Sequence, residues 1–204
     1  MNLKTSKTLG GIGAILMVIS VLPYISQLPF IGLIGAILVL VALYGFARAY
    51  KESGIFNNAL YGILAGIVGV VLALVIGIAV VLPNITDFLL KVFPSWNGDW
   101  QTLSSLSGMI PNTSNISFGD VIPFITAAIL VIATLWVFGI IATFFVRRSL
   151  VQLSAKTNVG LFSTAGTLLL IGAVLVIVGL GLILMWIGVL LLAIAFFRIR
   201  SPET

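Results

Sequence analysis

Asp87 and Asp120 are the residues of this chain best placed to do chemistry. They close two long uncharged stretches, Ser53–Thr86 and Val121–Val146. If those stretches are helices, the two carboxylates meet at one mouth, where a pair could hold a cation through its oxygens. The plainer account, two helix-end charges in water, is the favoured one. The rest of the usual machinery is missing. Histidine, the commonest metal ligand and general base near neutral pH, is absent. Cysteine is absent too, which removes disulfides, thiol chemistry and any sign of redox compartment. Neither a Gly-x-Ser-x-Gly elbow nor a phosphate loop occurs. The expectation is a chain that is not an enzyme and uses no metal or cofactor.

The elements that would position those residues are written in the charge pattern. Of 204 residues, 61% are hydrophobic and 7% are charged, against about a quarter charged in a soluble domain. Such a surface would aggregate in water, so lipid is the expected solvent for most side chains. The net charge of +5 does not point to nucleic acid, because the basic residues flank apolar runs and form no patch. Lys4 and Lys7 before the apolar run Leu9–Leu22 look like the start of a signal peptide. Since no small-x-small cleavage site follows, the run is expected to stay as a first membrane helix.

A helix crosses the hydrocarbon in about 20 residues. Thr8–Ala47 is uncharged and about twice that length, with Pro23 and Pro29 flanking a turn near its middle. Thr157–Phe197 is also uncharged, with a turn expected at Gly179-Leu-Gly181. The pattern predicts a single all-α membrane domain over residues 1–204: hairpin 8–47, helices 56–82 and 120–146, loop 83–120 and hairpin 160–198. Helix 3 is expected to stop at Pro83, and helix 4 to be capped by Asp120 with Pro123 in its first turn. Asn57 and Asn58 are expected to cap helix 3. Six crossings then put Lys4, Lys7, Arg48, Lys51, Arg147, Arg148, Lys156, Arg198 and Arg200 on one side, and only Lys91 opposite. By the positive-inside rule both termini are cytoplasmic and loop 83–120 is external. The inner residues Arg48, Lys51, Arg147, Arg148, Lys156, Arg198 and Arg200 should attract anionic lipid headgroups, besides setting orientation.

In the external segment, residues 85–93 are apolar enough for a short interfacial helix. Trp96 and Trp100 suit the half-wet headgroup level, and residues 101–118 read as a Ser-, Asn- and Gly-rich surface loop. Asn84, Asn112 and Asn115 head glycosylation sequons, Asn84 being too near the membrane for modification. No charge lies inside any predicted span, which argues against proton pumping. Ser20, Thr126, Thr134, Thr143 and Thr167 are expected to hydrogen-bond back to their own helices.

Glycines gather on helix faces. Gly62 and Gly66 form a GxxxG pair, and small residues let helices approach closely in lipid. Packing within the bundle is favoured over contact between subunits, and Gly66→Leu is expected to disrupt folding or assembly. Gly13 and Gly35 recur as Gly166 and Gly188 in a gapless echo of the first hairpin by the last, at an offset of 153. Gly54-Ile-Phe-Asn-Asn-Ala59 is echoed by Gly160-Leu-Phe-Ser-Thr-Ala165. Any such duplication would be parallel, whereas inverted repeats are the stronger transporter signal.

Through Leu9-Gly-Gly-Ile-Gly-Ala14, Gly54–Gly62 and Gly160–Gly166, the chain resembles the prokaryotic, mainly archaeal, integral-membrane family catalogued as domain of unknown function 996. The resemblance covers nearly the whole chain. It implies a multi-pass protein of an archaeal-type plasma membrane, and carries over no activity and no functional residue. The leading expectation is an accessory subunit of a larger membrane complex, or an organiser of the bilayer, with lipid, other membrane subunits or itself as partner. The alternative is a channel or carrier for a small neutral or apolar solute, which needs a cavity lined by the Ser and Thr hydroxyls. A membrane enzyme acting on lipid is the third reading.

Overall fold

The structure is a computed structural model and describes residues 2–21, 30–114 and 116–199. The expected turn between Pro23 and Pro29, together with Asn115 and Arg200, lies outside the described residues. Among the described residues there are six α-helices and two 3-10 segments, and no strand. The α-helices are α1 (Leu3–Ile19), α2 (Phe30–Ala49), α3 (Ser53–Val92), α4 (Phe118–Thr157), α5 (Leu161–Leu175) and α6 (Leu180–Arg198). All but α1 are long and apolar enough to cross a membrane, α5 being counted together with the 3-10 turn that continues it to Val178. The first expected span corresponds to α1, which has 17 residues, about 25 Å at 1.5 Å per residue.

Helices form because runs of Leu, Ile, Val, Ala and Gly can satisfy every backbone group only internally in an apolar solvent. Their ends are set locally. Asn2 caps α1, its Oδ1 accepting from the Thr5 amide at 2.8 Å. After α2, Lys51 takes a left-handed conformation at φ 53°, and the Glu52 amide donates back to the Ala47 carbonyl at 2.9 Å. Asn158 is likewise left-handed after α4, at φ 56°, and there the Ser154 hydroxyl donates to the Val159 carbonyl at 3.1 Å. The break expected in the last hairpin falls at Gly179, φ 80°, after a 3-10 turn over Val176–Val178.

Two boundaries differ from expectation for a shared reason. Helix α3 runs from Ser53 through Pro83 to Val92, and α4 runs past Arg147 to Thr157, 40 residues each. Charge marks where apolar sequence stops, but Arg, Lys, Gln and Leu are good helix formers. The segment read as a separate interfacial helix, residues 85–93, therefore continues α3. Pro83 removes one backbone donor, and one residue on the Asn84 side-chain amide donates to the Val80 carbonyl at 2.7 Å, an added bond beside the donor lost. At the start of α4 the cap is Ser117: Asp120 sits three residues in, its carboxylate accepting from the Ser117 amide and hydroxyl, both at 2.9 Å. Pro123 accordingly falls in the second turn. Asn57 and Asn58 also lie inside α3 and do not cap it.

The chain divides into two compact units, residues 1–68 with 136–204, and residues 69–135. In the first unit α1 packs on α2 and on α6, and α5 packs on α6. Phe46, Phe162 and Phe196 are fully buried at its centre. The Phe46 and Phe196 rings stack at 6.1 Å, and Phe162 meets Phe196 edge-on at 5.0 Å. In the second unit the end of α3 and the start of α4 pair through Phe88 and Phe124, rings 5.2 Å apart. Its loop is not irregular as expected, since Trp100–Gly108 forms a 3-10 helix. The Thr102, Ser105 and Ser107 hydroxyls each donate to the carbonyl three residues back, a spacing that fits a three-residue turn. Trp96 is buried, not half-wet, because its indole N–H donates to the Thr102 hydroxyl at 3.0 Å.

Candidate functional site: the basic helix ends

The first unit gathers the basic helix ends. Lys7 donates to the Ile199 carbonyl at 2.7 Å, joining the start of α1 to the end of α6. Lys156, in the last turn of α4, pairs with Glu52 before α3 at 3.2 Å. Between these sits a polar seam on one face of α4, at spacings of three and four residues. The buried Ser149 hydroxyl donates to the Ile55 carbonyl. Gln152 accepts from the Asn58 amide at 3.4 Å, and Asn58 also donates to the Gly54 carbonyl at 2.8 Å. Leu150 and Leu153, buried beside them, complete the contact. Sequence reading missed this seam by ending helix 4 at residue 146; the 149-152-156 spacing of Ser, Gln and Lys was the available signal.

Five further cations of this end have other surroundings. The Arg48 guanidinium lies 5.4 Å over the Tyr44 ring and Arg148 lies 5.5 Å over Phe144. Lys51 projects from the left-handed turn, and Arg198 closes α6. Arg147 is half-buried in the interior of α4, its Nε donating to the Thr167 hydroxyl at 3.3 Å. Arg147 and Arg148 thus lie within α4 because the helix continues beyond the uncharged stretch that ends at Val146. Among the described residues the ion pairs are Glu52–Lys156 and Lys91–Asp120.

The carboxylate mouth in the second unit is a pocket of about 390 Å³ lined by Asp87, Lys91, Asp120 and neighbours. The Lys91 ammonium pairs directly with Asp120, where a bound cation would have stood. Asp120 precedes the uncharged stretch, and its pKa is held at about 2, by the Lys91 hydrogen bond first and then by the Ser117 amide and hydroxyl.

The glycines differ in what a Cβ would meet. At Gly13 it would lie 2.6 Å from the Gly35 carbonyl oxygen, and at Gly35 2.5 Å from that of Gly13. At Gly62 it would lie 2.8 Å from the Ala142 carbonyl, at Gly166 3.1 Å from the Arg147 Cα, and at Gly188 3.1 Å from Leu169. Nothing lies within 4 Å of a Cβ at Gly66, so the close approach expected of the GxxxG pair is found at Gly62 and not at Gly66. Gly172, which sequence reading passed over, meets Gly181, read there only as part of the turn, across the last hairpin.

The family model described as "Protein of unknown function (DUF996)" matches residues 31–190. The chain belongs to this family. An uncharacterized protein of Methanocaldococcus jannaschii is 26% identical over 176 residues, covering 86% of this chain and 80% of its own length. No solved structure matches. The resemblance carried by the glycine motifs is therefore correct.

In this DUF996 chain the matched region holds the polar seam, the α2–α3 turn and the loop, while Lys7, Gly13 and Arg198 fall outside it. Of the sequons, Asn84 is built into α3. Asn112 is exposed, with its Oδ1 accepting from the Ser114 amide at 3.1 Å. The hydroxyls of Ser20, Thr134, Thr143 and Thr167 donate to carbonyls of their own helices at 2.8–3.0 Å.

Proposed function

We propose that this DUF996 protein is a non-catalytic multi-pass membrane protein, an accessory subunit or organiser of the bilayer. It crosses the plasma membrane six times, with both termini and the basic helix ends in the cytoplasm and the 83–117 segment outside. One observation carries the reading. The apolar windows of α3 and α4 are 11% and 0% buried inside the chain, while the basic residues of four helix ends converge on one end of the first unit. Helices apolar on every side need lipid or a partner subunit around them. The basic end is attracted to anionic headgroups, at about 1 kcal/mol per charge near the surface.

Transport of a neutral solute gains no comparable support, because the hydroxyls of Ser20, Thr134, Thr143 and Thr167, which would line a path, bond to their own helices. Gentle purification from the native membrane tests the subunit reading. A stoichiometric membrane partner is the expected result; a lone homo-oligomer would move the weight to transport.

A further inference from the structure

The α2–α3 turn holds a pocket of about 300 Å³, lined by Tyr44, Arg48, Lys51, Ser53, Phe56 and Asn57. One wall is aromatic: the Tyr44 and Phe56 rings meet edge-to-face at 5.2 Å. Arg48 is held over the Tyr44 face, so its guanidinium is placed without a carboxylate. Lys51 stands at φ 53°, a backbone position that favours glycine; its side chain lines the pocket all the same. Ser53 and Asn57 add a hydroxyl and an amide that have no side-chain hydrogen bond among the described residues. Glu52, the nearest acid in sequence, is turned to Lys156. The pocket is therefore cationic, with neutral donors and an apolar wall. The echoing α4–α5 turn repeats the left-handed residue and a pocket lined by Asn158, Thr164 and Arg198, but has one cation where the α2–α3 turn has two.

We propose that the α2–α3 pocket binds a phosphate group, with Arg48 and Lys51 meeting its charge, Ser53 and Asn57 donating to its oxygens, and Tyr44 and Phe56 lying against whatever apolar portion follows. The phosphate belongs to an anionic lipid headgroup or is free in solution. This sharpens the general lipid attraction proposed above to one place, and needs no assumption about which side of the membrane it faces.

The test uses the full chain in neutral detergent, with binding followed by native mass spectrometry. Dioleoylphosphatidylglycerol, dioleoylphosphatidylcholine and inorganic phosphate are titrated separately. The expected result is retention of phosphatidylglycerol over phosphatidylcholine, weakened about fivefold by either Arg48→Gln or Lys51→Gln. Lys4→Gln, an exposed charge elsewhere on the first unit, should leave it unchanged. Dependence on the pocket residues with lipid alone assigns a headgroup; the same dependence with inorganic phosphate assigns a free phosphate. If Lys4→Gln weakens binding as much as the pocket variants, the attraction is general and the pocket is overturned. The proposal also fails if neither phosphate source binds, or if neither pocket variant matters. Circular dichroism confirms folding, and since Lys51 is exposed its variant carries the test if Arg48→Gln misfolds.

Discussion

At the scale of single residues, the glycines separate what was legible from what was not. Their number and spacing are plain in sequence, but Gly13 and Gly66 look alike until their neighbours are known. Gly13→Ala drives a methyl group against the Gly35 carbonyl, and should destabilise the protein by about 1–3 kcal/mol. Gly66→Ala meets open space and should gain up to about 1 kcal/mol from helix propensity. Unfolding in mixed detergent micelles compares the two, and equal losses would contradict the packing described. If Gly66→Leu folds normally yet loses an oligomer, that glycine contacts another molecule. The Lys91–Asp120 pair makes a pH prediction. The folded pKa of Asp120, about 2, lies below the unfolded value near ~3.9. Its contribution is thus present above the unfolded value and disappears as pH falls through the folded one. Carboxyl carbon NMR should find Asp120 ionised at pH 4.5, with Lys91→Met moving its titration upward; an unmoved titration would remove the pair from the account.

At the scale of elements, the uncharged stretches located the helices well and their ends badly. The reason is physical: hydropathy reports the solvent around a helix, whereas the helix ends where backbone donors and acceptors find other partners. Arg147 ends an apolar run without ending α4, and Pro83 weakens one turn without breaking α3. The break at Gly179 was readable because glycine is the residue that a positive φ favours most. Two short helix ends were not readable at all. The Trp136 indole donates to the carbonyls of Ala173 and Val174 at 3.1 and 3.2 Å, where α5 gives way to the 3-10 turn. The Trp186 indole donates to the Val18 carbonyl at 3.3 Å, near the end of α1. Carbonyls in the last turn of a helix lack donors within the helix, and here a neighbouring helix supplies one. Trp136→Phe keeps the bulk and removes the donor. It should cost about 1 kcal/mol and speed amide exchange over residues 176–179; unchanged exchange there would dismiss the capping role.

At the scale of the whole molecule, the sidedness of the basic end decides the proposed topology. The chain contains no cysteine, so single cysteines report cleanly. In intact cells an impermeant maleimide should label Ser104→Cys, while Ala155→Cys should react only after the membrane is opened. Labelling of both from one side would end the six-crossing arrangement. The convergence of cations was legible because each flanks an apolar run, but the seam of Ser149, Gln152 and Lys156 required knowing that α4 continues. One consequence of the tryptophan placements remains. Trp96, Trp136 and Trp186 all have their N–H engaged by a neighbour, and Trp186, though 36% exposed, lies within the apolar run of α6, whereas Trp100 is 46% exposed on the 3-10 segment. Intrinsic emission should therefore split into a bluer, shielded population and one redder, water-quenchable component. Iodide added from one side of a sealed vesicle would read that component alone, giving an unlabelled optical gauge of which face the loop presents.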